Sequence, residues 1–283
     1  RPARTLHRAL KYNPKEGFHH NRKNPLPGTL FVVDESSMLD NALAASWLRA
    51  IPNNARVIFV GDIDQLPSVG AGSFLKDIMQ SGVSKVFRLT RVHRQAEGSL
   101  IAEAAQRILA GKMPALDGDP WTDDFAWISP PNGLPSFEIN EFIQNAISAM
   151  VEGFLKKGYK KEDIQVLSPQ RDGMVGVAGL NNSLRWLLNE KGKPMSLDEE
   201  EEPFALGDRL LVTKNNYDKD VFNGDMGVVK SLDDDGAVEL QMEDGKVVVL
   251  DRNERKSLTL GYAITVHKSQ GGERPVVIMK CSP

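Results

Sequence analysis

Runs of β-prone apolar residues alternate with amphipathic stretches along most of the chain. Residues 30–33 are all apolar, and this run stops on two adjacent carboxylates, Asp34 and Glu35. Four such residues in a row predict a strand buried on both faces, as in a parallel sheet covered by helices. A helix is expected at 39–50, a second strand at 56–60, a helix at 73–80 and a third strand at 85–89. This alternation predicts a doubly wound α/β layer.

A second α/β unit is expected after residue 94. Helical patterns cover 99–110, 136–157 and 178–190, and strands are expected at 163–167, 258–265 and 276–279. The apolar residues of 136–157 recur at the helical period on one face, which is typical of a helix packed on a core. The second unit is therefore also predicted to have a covered sheet.

Residues 205–258 show a different pattern, in which short β-prone runs alternate with turns. Asn223-Gly224 and Asp244-Gly245 separate such runs, and these dipeptides are strong hairpin signals. A small β-barrel is therefore predicted as an insertion in the second unit. The expected domains are 1–93, then 94–204 together with 259–283, with the barrel at 205–258.

Composition narrows the class of protein. With 41% hydrophobic and 26% charged residues, the chain is typical of globular proteins. No apolar run approaches the roughly 20 residues of a transmembrane helix, so we expect no membrane partner. The single cysteine, Cys281, allows no internal disulfide and no cysteine cluster for zinc. It is consistent with a cytoplasmic location.

The charge is distributed unevenly. The net charge is −3, so any binding of nucleic acid must depend on local patches. One such patch is the first 24 residues, where Glu16 is the single acid. Its cations are Arg1, Arg4, Arg8, Lys11, Lys15, Arg22 and Lys23.

Polar side chains follow two of the predicted strands where each strand ends. Asp34 and Glu35 follow the first strand, and Asp62 and Gln65 follow the second. In open α/β folds the carboxyl edge of the sheet is where ligands bind. A carboxylate pair there can hold Mg²⁺ and polarise an attacking water, and a nearby amide can meet the γ-phosphate. The alternative is two ordinary acidic turns.

Four linked segments then carry a resemblance to a known family. Residues 33–38, 61–70, 89–95 and 262–271 resemble motifs II, III, IV and V of the RecD-like branch of superfamily 1 DNA helicases, the exodeoxyribonuclease V alpha subunit family. This resemblance implies an α/β fold with two RecA-like parallel-sheet domains, the first incomplete, and an SH3-like β-barrel insertion. It implies ATP-dependent 5′ to 3′ movement on single-stranded DNA, in recombination or repair.

The resemblance also assigns roles at a nucleotide site. It implies ATP and Mg²⁺ as cofactors, Asp34 as the metal-side carboxylate and Glu35 as the catalytic base. Gln65 would sense the γ-phosphate, and Arg94 would reach it from the second domain as an arginine finger. Further nucleotide contacts would come from Gln270, Gly271 and Glu273. Two positions depart from the family pattern, His93 and Arg274, where the family usually has an aromatic residue.

DNA contacts follow from the same resemblance. The residues implied are Thr5, His7, Asn215, Asn223, Thr265, His267 and Lys268, while His19 and His20 are expected to be structural. Residues 11–28 lie where the family has its strand-separating pin. The expected partners are single-stranded DNA, junctions of single- and double-stranded DNA, and nuclease or helicase subunits of a recombination complex.

One family element is missing from the sequence. None of the Gly-Lys pairs is followed by Ser or Thr, so the 283 residues contain no Walker A phosphate loop, and the family's last motif is also missing. We therefore expect a piece of a longer protein, inactive alone as an ATPase although its parent is active. Three alternatives stay open: the helicase region of a conjugative relaxase, a non-catalytic DNA-binding subunit, and a two-metal nuclease built on Asp34, Glu35, Asp62 and Asp64.

Overall fold

The computed structural model describes residues 4–13, 15–89, 98–189, 204–233 and 235–281. Contacts between Cα atoms divide the chain into two compact units, Arg1–Ile128 and Ser129–Pro283. Each unit is described by itself. The domain limits expected from the sequence remain a prediction.

The first unit contains two small sheets. Strands β1 and β2 form an antiparallel hairpin with Tyr12 opposite Phe18, and β3 and β4 are parallel, with Leu30 opposite Arg56 and Val33 opposite Phe59. The elements are α1 Leu6–Ala9, β1 Tyr12–Asn13, β2 Gly17–Phe18, β3 Leu30–Val33, α2 Asn41–Ala50, β4 Arg56–Phe59, α3 Phe74–Gln80 and α4 Leu100–Leu109. The predicted strands at 30–33 and 56–60 and the helices near 39–50, 73–80 and 99–110 are confirmed, within one or two residues at most ends.

The core of the first unit is built around Trp47. Helix α2 begins at the N-cap Asp40, whose carboxylate accepts a hydrogen bond from Leu43 N (2.7 Å). The helix places the Trp47 ring edge-on between Phe31 of β3 and Phe59 of β4, at centroid distances of 6.0 and 5.7 Å. One face of the β3–β4 sheet is thereby covered.

The opposite face of that sheet is open, which corrects the expectation of a strand buried on both sides. Leu30, Val32 and Ile58 are 57%, 61% and 48% exposed. Successive side chains in a strand point to opposite faces, so a two-stranded sheet packed on one face leaves every second residue uncovered. The apolar run predicted the strand correctly, but the strand is buried on one face and not on both.

The third strand expected at 85–89 is wrong. The described residues from 85 to 89 form no ladder with another strand, and Phe87 and Leu89 are 86% and 97% exposed. A β-prone run becomes a strand when a neighbouring strand takes up its backbone hydrogen bonds. No described strand lies in that position.

The second unit combines a parallel and an antiparallel sheet. The parallel sheet has the order β11-β5-β12, and the antiparallel sheet has the order β10-β6-β7-β8-β9. The elements are α5 Ser136–Lys156, β5 Ile164–Ser168, α6 Val177–Leu188, β6 Arg209–Val212, β7 Met226–Leu232, β8 Val238–Met242, β9 Val247–Leu250, β10 Leu258–Leu260, β11 Ala263–Thr265 and β12 Val276–Met279. The predicted α/β class is confirmed.

Strand β5 is the centre of this unit. All five of its residues are buried. Helix α5 packs on the same core through Ile147 and Val151, as its apolar face predicted. On α6, the Asn181 side chain accepts from Ala263 N (2.8 Å) and donates to Ala263 O (2.9 Å), which ties the helix to β11. The parallel sheet is therefore held by specific polar contacts as well as by packing.

Two predicted details of this unit need correction. The single strand expected at 258–265 is two strands: β10 pairs antiparallel with β6, and β11 pairs parallel with β5. The predicted barrel is an open sheet, because its outer strands β10 and β9 do not pair with each other in the part of the chain described.

No helix among the described residues combines the length and the apolar character that a membrane span requires.

Candidate functional site

The carboxyl ends of β3 and β4 meet at one edge of the first unit's parallel sheet. Val60 N donates to Val33 O and Ser36 N donates to Val60 O, both at 2.8 Å. These two bonds hold the turn after β3 against the turn after β4. Asp34 and Glu35, which follow β3, are both exposed at this edge. The structure thus brings the backbones of the two predicted polar turns together.

Glu35 has an unusual backbone conformation. Its φ and ψ are 51° and 39°, in the left-handed region that non-glycine residues seldom adopt. The turn is maintained by Asp34 Oδ1, which accepts from Glu35 N (2.9 Å), and by the buried Ser36 hydroxyl, which donates to Val33 O (2.7 Å). Strain of this kind is concentrated at functional sites, where surrounding bonds enforce it.

Gly61 allows the second turn to approach the first. A methyl group at this position would lie 3.0 Å from Ser36 N and from Ser37 N, and 2.8 Å from Leu75 Cδ2. Beyond it, Asp62 Oδ1 accepts from Asp64 N (2.9 Å). A side chain at Gly61 would therefore separate the two turns.

Gln65 lies in the same second turn, where its backbone N donates to Asp62 O (3.3 Å). Its side chain is exposed.

The donor set at this edge suits magnesium better than a two-metal centre. Mg²⁺ retains several waters and binds through one or two carboxylates, and Asp34 keeps Oδ2 available while Oδ1 accepts from Glu35 N. Among the described residues no three or more His, Cys, Asp or Glu side chains form a group that could hold a metal. Asp34, Glu35, Asp62 and Asp64 are all described, and no three of them form such a group.

A second polar edge lies in the second unit, where β5 and β11 end together with Ser168 opposite Thr265. The Thr265 hydroxyl accepts from Lys268 N (3.4 Å) and caps a short 3-10 helix, Val266–Ser269. His267 in this helix is exposed. The predicted DNA-contacting residues Thr265, His267 and Lys268 therefore share one turn.

Arg171 joins this edge although sequence reasoning gave it no role. Burial, and then the positive charge of Arg171, lower the pKa of Lys268. Arg171 follows the end of β5 and Lys268 follows the end of β11, so both cations lie at the same edge of the parallel sheet. Arg171 lies among the polar residues that directly follow a predicted apolar strand. The same sequence feature indicated Asp34 and Asp62.

The predicted nucleotide contacts Gln270, Gly271 and Glu273 lie in the loop between this 3-10 helix and β12. Gly271 has a φ of 76°, which favours glycine. The loop also contains Arg274, whose Nη2 donates to both carboxylate oxygens of Glu243 at 2.7 and 2.5 Å. The arginine that departs from the family pattern thus anchors the loop to the turn after β8.

Asn215 and Asn223 come together in the connection between β6 and β7 of the antiparallel sheet. Asn215 Oδ1 accepts from Asn223 N (2.8 Å), and its Nδ2 donates to the Tyr217 hydroxyl (3.2 Å). Both asparagines are exposed. They therefore form one polar surface.

Near the start of the chain, Thr5 Oγ1 accepts from Arg8 N (3.3 Å) as the N-cap of α1. The His7 ring packs edge-on against Tyr12 (5.5 Å) and tilted against Phe18 (5.8 Å). His93 and Arg94 lie outside the described residues, so the predicted arginine finger has no structural description.

Two family models match the chain. Residues 1–126 match an AAA domain, and residues 180–249 match the SH3 domain of ATP-dependent RecD-like DNA helicases. The antiparallel sheet with Asn215 and Asn223 lies largely within the second match. The SH3-like insertion expected from the sequence thus has a counterpart in a family model.

Two curated relatives extend over nearly all of the chain. It is 39% identical over 282 residues to the ATP-dependent RecD2 DNA helicase of Deinococcus radiodurans, with 98% of the chain and 36% of the relative covered. It is 31% identical over 279 residues to the RecBCD enzyme subunit RecD of Mycobacterium tuberculosis, with 95% of the chain and 47% of the relative covered. The chain thus spans less than half the length of these two relatives.

A solved structure with a similar fold is the Pif1 helicase from Bacteroides in complex with ADP-AlF3 and single-stranded DNA. The TM-score is 0.53 at 17% identity, and the match covers 98% of the chain and 72% of that structure. At this low identity the likeness bears on the fold alone, which is the mixed α/β architecture described above.

Proposed function

We propose that the chain belongs to the RecD-like branch of superfamily 1 DNA helicases, to which it is similar, and that it is part of an ATP-dependent 5′ to 3′ helicase on single-stranded DNA. The observation that carries the proposal is the carboxylate turn of the first unit. Glu35 is held there in a left-handed conformation beside the turn that contains Gln65. A solvated acidic turn would need neither that conformation nor the close approach at Gly61.

In this proposal the turn performs the hydrolytic half of the cycle. Asp34 would hold Mg²⁺, which would supply positive charge to offset that of the nucleotide phosphates. Glu35 accepts a proton from the attacking water, and Gln65 orients that water or meets the γ-phosphate. Arg94, which lies outside the described residues, is proposed as the arginine finger that supplies a planar cation to the γ-phosphate. Gln270, Gly271 and Glu273 contact the nucleotide.

The residues at the second polar edge bind the DNA strand in this proposal. Thr265, His267 and Lys268 contact phosphates, and Arg171 adds a positive charge beside Lys268. Contacts to the backbone carry no sequence information, which suits a motor that must move along any sequence. Thr5 and His7 in the first unit, and Asn215 and Asn223 in the second, extend the contacts along the strand.

The cellular setting is part of the same proposal. The protein that contains this chain acts in the cytoplasm on single-stranded DNA and on junctions with duplex DNA, in recombination or repair. A relative is named as a RecBCD enzyme subunit, which supports nuclease or helicase subunits as partners. A conjugative relaxase and a non-catalytic subunit remain the competing assignments.

The test measures ATP turnover by the protein that contains this chain, with and without single-stranded DNA, and unwinding of duplexes with a 5′ or a 3′ tail. We expect turnover stimulated by DNA and unwinding from the 5′ tail alone. The 283-residue chain by itself should show no such turnover, because it has no Walker A segment. Unwinding from the 3′ tail, or turnover indifferent to DNA, would contradict the proposal.

A further inference from the structure

The turn at residues 19–24 is unusually well ordered by its own side chains. Asn21 and Asn24 form an isolated antiparallel bridge. Asn21 Nδ2 donates to His19 O (3.1 Å), Asn21 Oδ1 accepts from Lys23 N (2.9 Å), and His20 Nδ1 lies 3.2 Å from Asn24 O. The turn therefore has one strongly preferred shape.

This turn is also fixed to the core of the first unit. His20 N donates to Leu10 O (3.1 Å), and Leu10 is fully buried. On the other side of the turn, Leu26 N donates to Ala50 O (2.7 Å) at the end of α2. His19 N donates to Lys11 O (3.4 Å), which places Lys11 at the same end of the β1–β2 hairpin. The turn thus forms a rigid base for the hairpin.

The base presents positive charge to solvent. Lys11, Arg22 and Lys23, here called the hairpin-base cluster, are all exposed. Within the part of the chain that the structure describes, none of the three takes part in an ion pair. The single acid of this region, Glu16, precedes β2 at the opposite end of the hairpin. Nothing acidic nearby in sequence offsets the three charges.

We propose that the hairpin-base cluster binds the phosphate backbone of duplex DNA. This inference rests on the proposed function and adds a duplex contact to it. Duplex DNA carries one charge per about 1.7 Å of helix axis, so a fixed group of cations releases more counterions on a duplex than on a single strand. Single-strand binding relies on aromatic rings that stack on bases, whereas here the Tyr12 and Phe18 rings pack against each other at 5.0 Å and against His7.

The test compares two double variants of the chain. Arg22→Gln with Lys23→Gln removes two charges of the cluster, and Lys160→Gln with Lys161→Gln removes two adjacent charges in the second unit. Binding of a blunt duplex and of a single strand is measured by fluorescence anisotropy over a range of KCl concentrations. We expect the cluster variant to reduce the slope of log K against log salt by about two for the duplex, with little change for the single strand. The control pair should leave the duplex slope unchanged.

A third variant distinguishes the effect of the positive charges from the effect of the ordered conformation of the turn. Asn21→Ala keeps all three cations but removes the hydrogen bonds that order the turn. We expect several-fold weaker duplex binding with an unchanged salt slope, because the number of phosphate contacts stays the same while their arrangement becomes looser. Thermal melting of each variant checks that the first unit remains folded.

The outcomes distinguish this inference from the proposed function. Failure of the unaltered chain to bind single-stranded DNA contradicts the proposed function. Single-strand binding without duplex binding, or an equal loss of salt slope on both DNA forms or in both double variants, overturns the duplex assignment alone. An unchanged duplex slope in the cluster variant also overturns it.

Discussion

The two parallel sheets of the molecule contain strands with similar apolar sequences, but these strands differ in how far they are buried. In the first unit, β3 exposes alternate residues, and Val32 is 61% exposed. In the second unit, β5 lies between two parallel neighbours and is buried along its whole length, with Val166 1% exposed. Both sheets nevertheless end in well-ordered polar turns.

The difference shows that the burial of a strand and the shape of the polar turn that follows it depend on different contacts. Burial depends on how many strands and helices surround a strand. The polar turns depend on local bonds, such as Ser36 N to Val60 O in the first unit and Lys268 N to Thr265 Oγ1 in the second. A site can therefore keep its shape on a sheet that is half uncovered.

The largest expected effect concerns a buried carboxylate in the second unit. Asp208 is fully buried and accepts from Arg185 Nη2 (2.7 Å), Asn189 Nδ2 (2.8 Å) and the Tyr262 hydroxyl (3.0 Å). Asp208→Ala leaves these donors without their acceptor and should cost about 3–5 kcal/mol of unfolding free energy. Chemical denaturation of the chain measures it.

The matched control is Asp64, an exposed carboxylate of the first unit. Asp64→Ala should change the unfolding free energy by less than about 0.5 kcal/mol. Equal losses at Asp208 and Asp64 would contradict the difference drawn between the two units.

The same substitution at one position of each sheet tests whether the two sheets differ in burial. Val166→Thr places a hydroxyl in the covered sheet and should cost about 1–3 kcal/mol. Val32→Thr places the same group on the open face and should change stability by less than about 0.5 kcal/mol in the 283-residue chain. Denaturant unfolding of both variants measures the difference. A loss at Val32 as large as that at Val166 would mean that the first sheet is covered in solution.

The smallest expected effect concerns Arg171 and Lys268. Because burial and Arg171 lower the pKa of Lys268 in the folded chain, protonated Lys268 is destabilising, and stability rises as pH increases from the folded pKa towards the unfolded value. Arg171→Gln should reduce this rise and stabilise the chain near neutral pH by less than about 0.5 kcal/mol.

The same variant, Arg171→Gln, should reduce the salt slope for single-stranded DNA by about one. Lys230→Gln, an exposed control on β7, should leave stability and its pH dependence unchanged. A steeper pH dependence in Arg171→Gln would contradict the repulsion between the two cations.

Local sequence patterns predicted those strands and helices whose structure depends mainly on the residues of the segment itself. The apolar run at 30–33 and the amphipathic stretch at 136–157 are examples, and the stops at Asp34 and Asp62 correctly marked a sheet edge. The strand predictions were wrong where strand formation depends on a partner strand that is distant in the sequence. Residues 85–89 have β-prone side chains but no described ladder partner, and 258–265 changes sheet at Gly261, whose N donates to Arg209 O (2.8 Å). The closeness of Arg171 and Lys268 depends on residues 97 positions apart in the chain, which no local pattern contains.

We propose that Glu35 is the catalytic base at the carboxylate turn. The direct measurement is ATP turnover and ATP affinity of the protein that contains this chain, with Glu35→Gln compared with Asp64→Asn. We expect Glu35→Gln to lower turnover by about 100- to 10,000-fold with ATP affinity retained, because the amide cannot accept the proton of the attacking water. Asp64→Asn should leave both values unchanged. Loss of ATP binding in Glu35→Gln, or turnover that persists, would contradict the account.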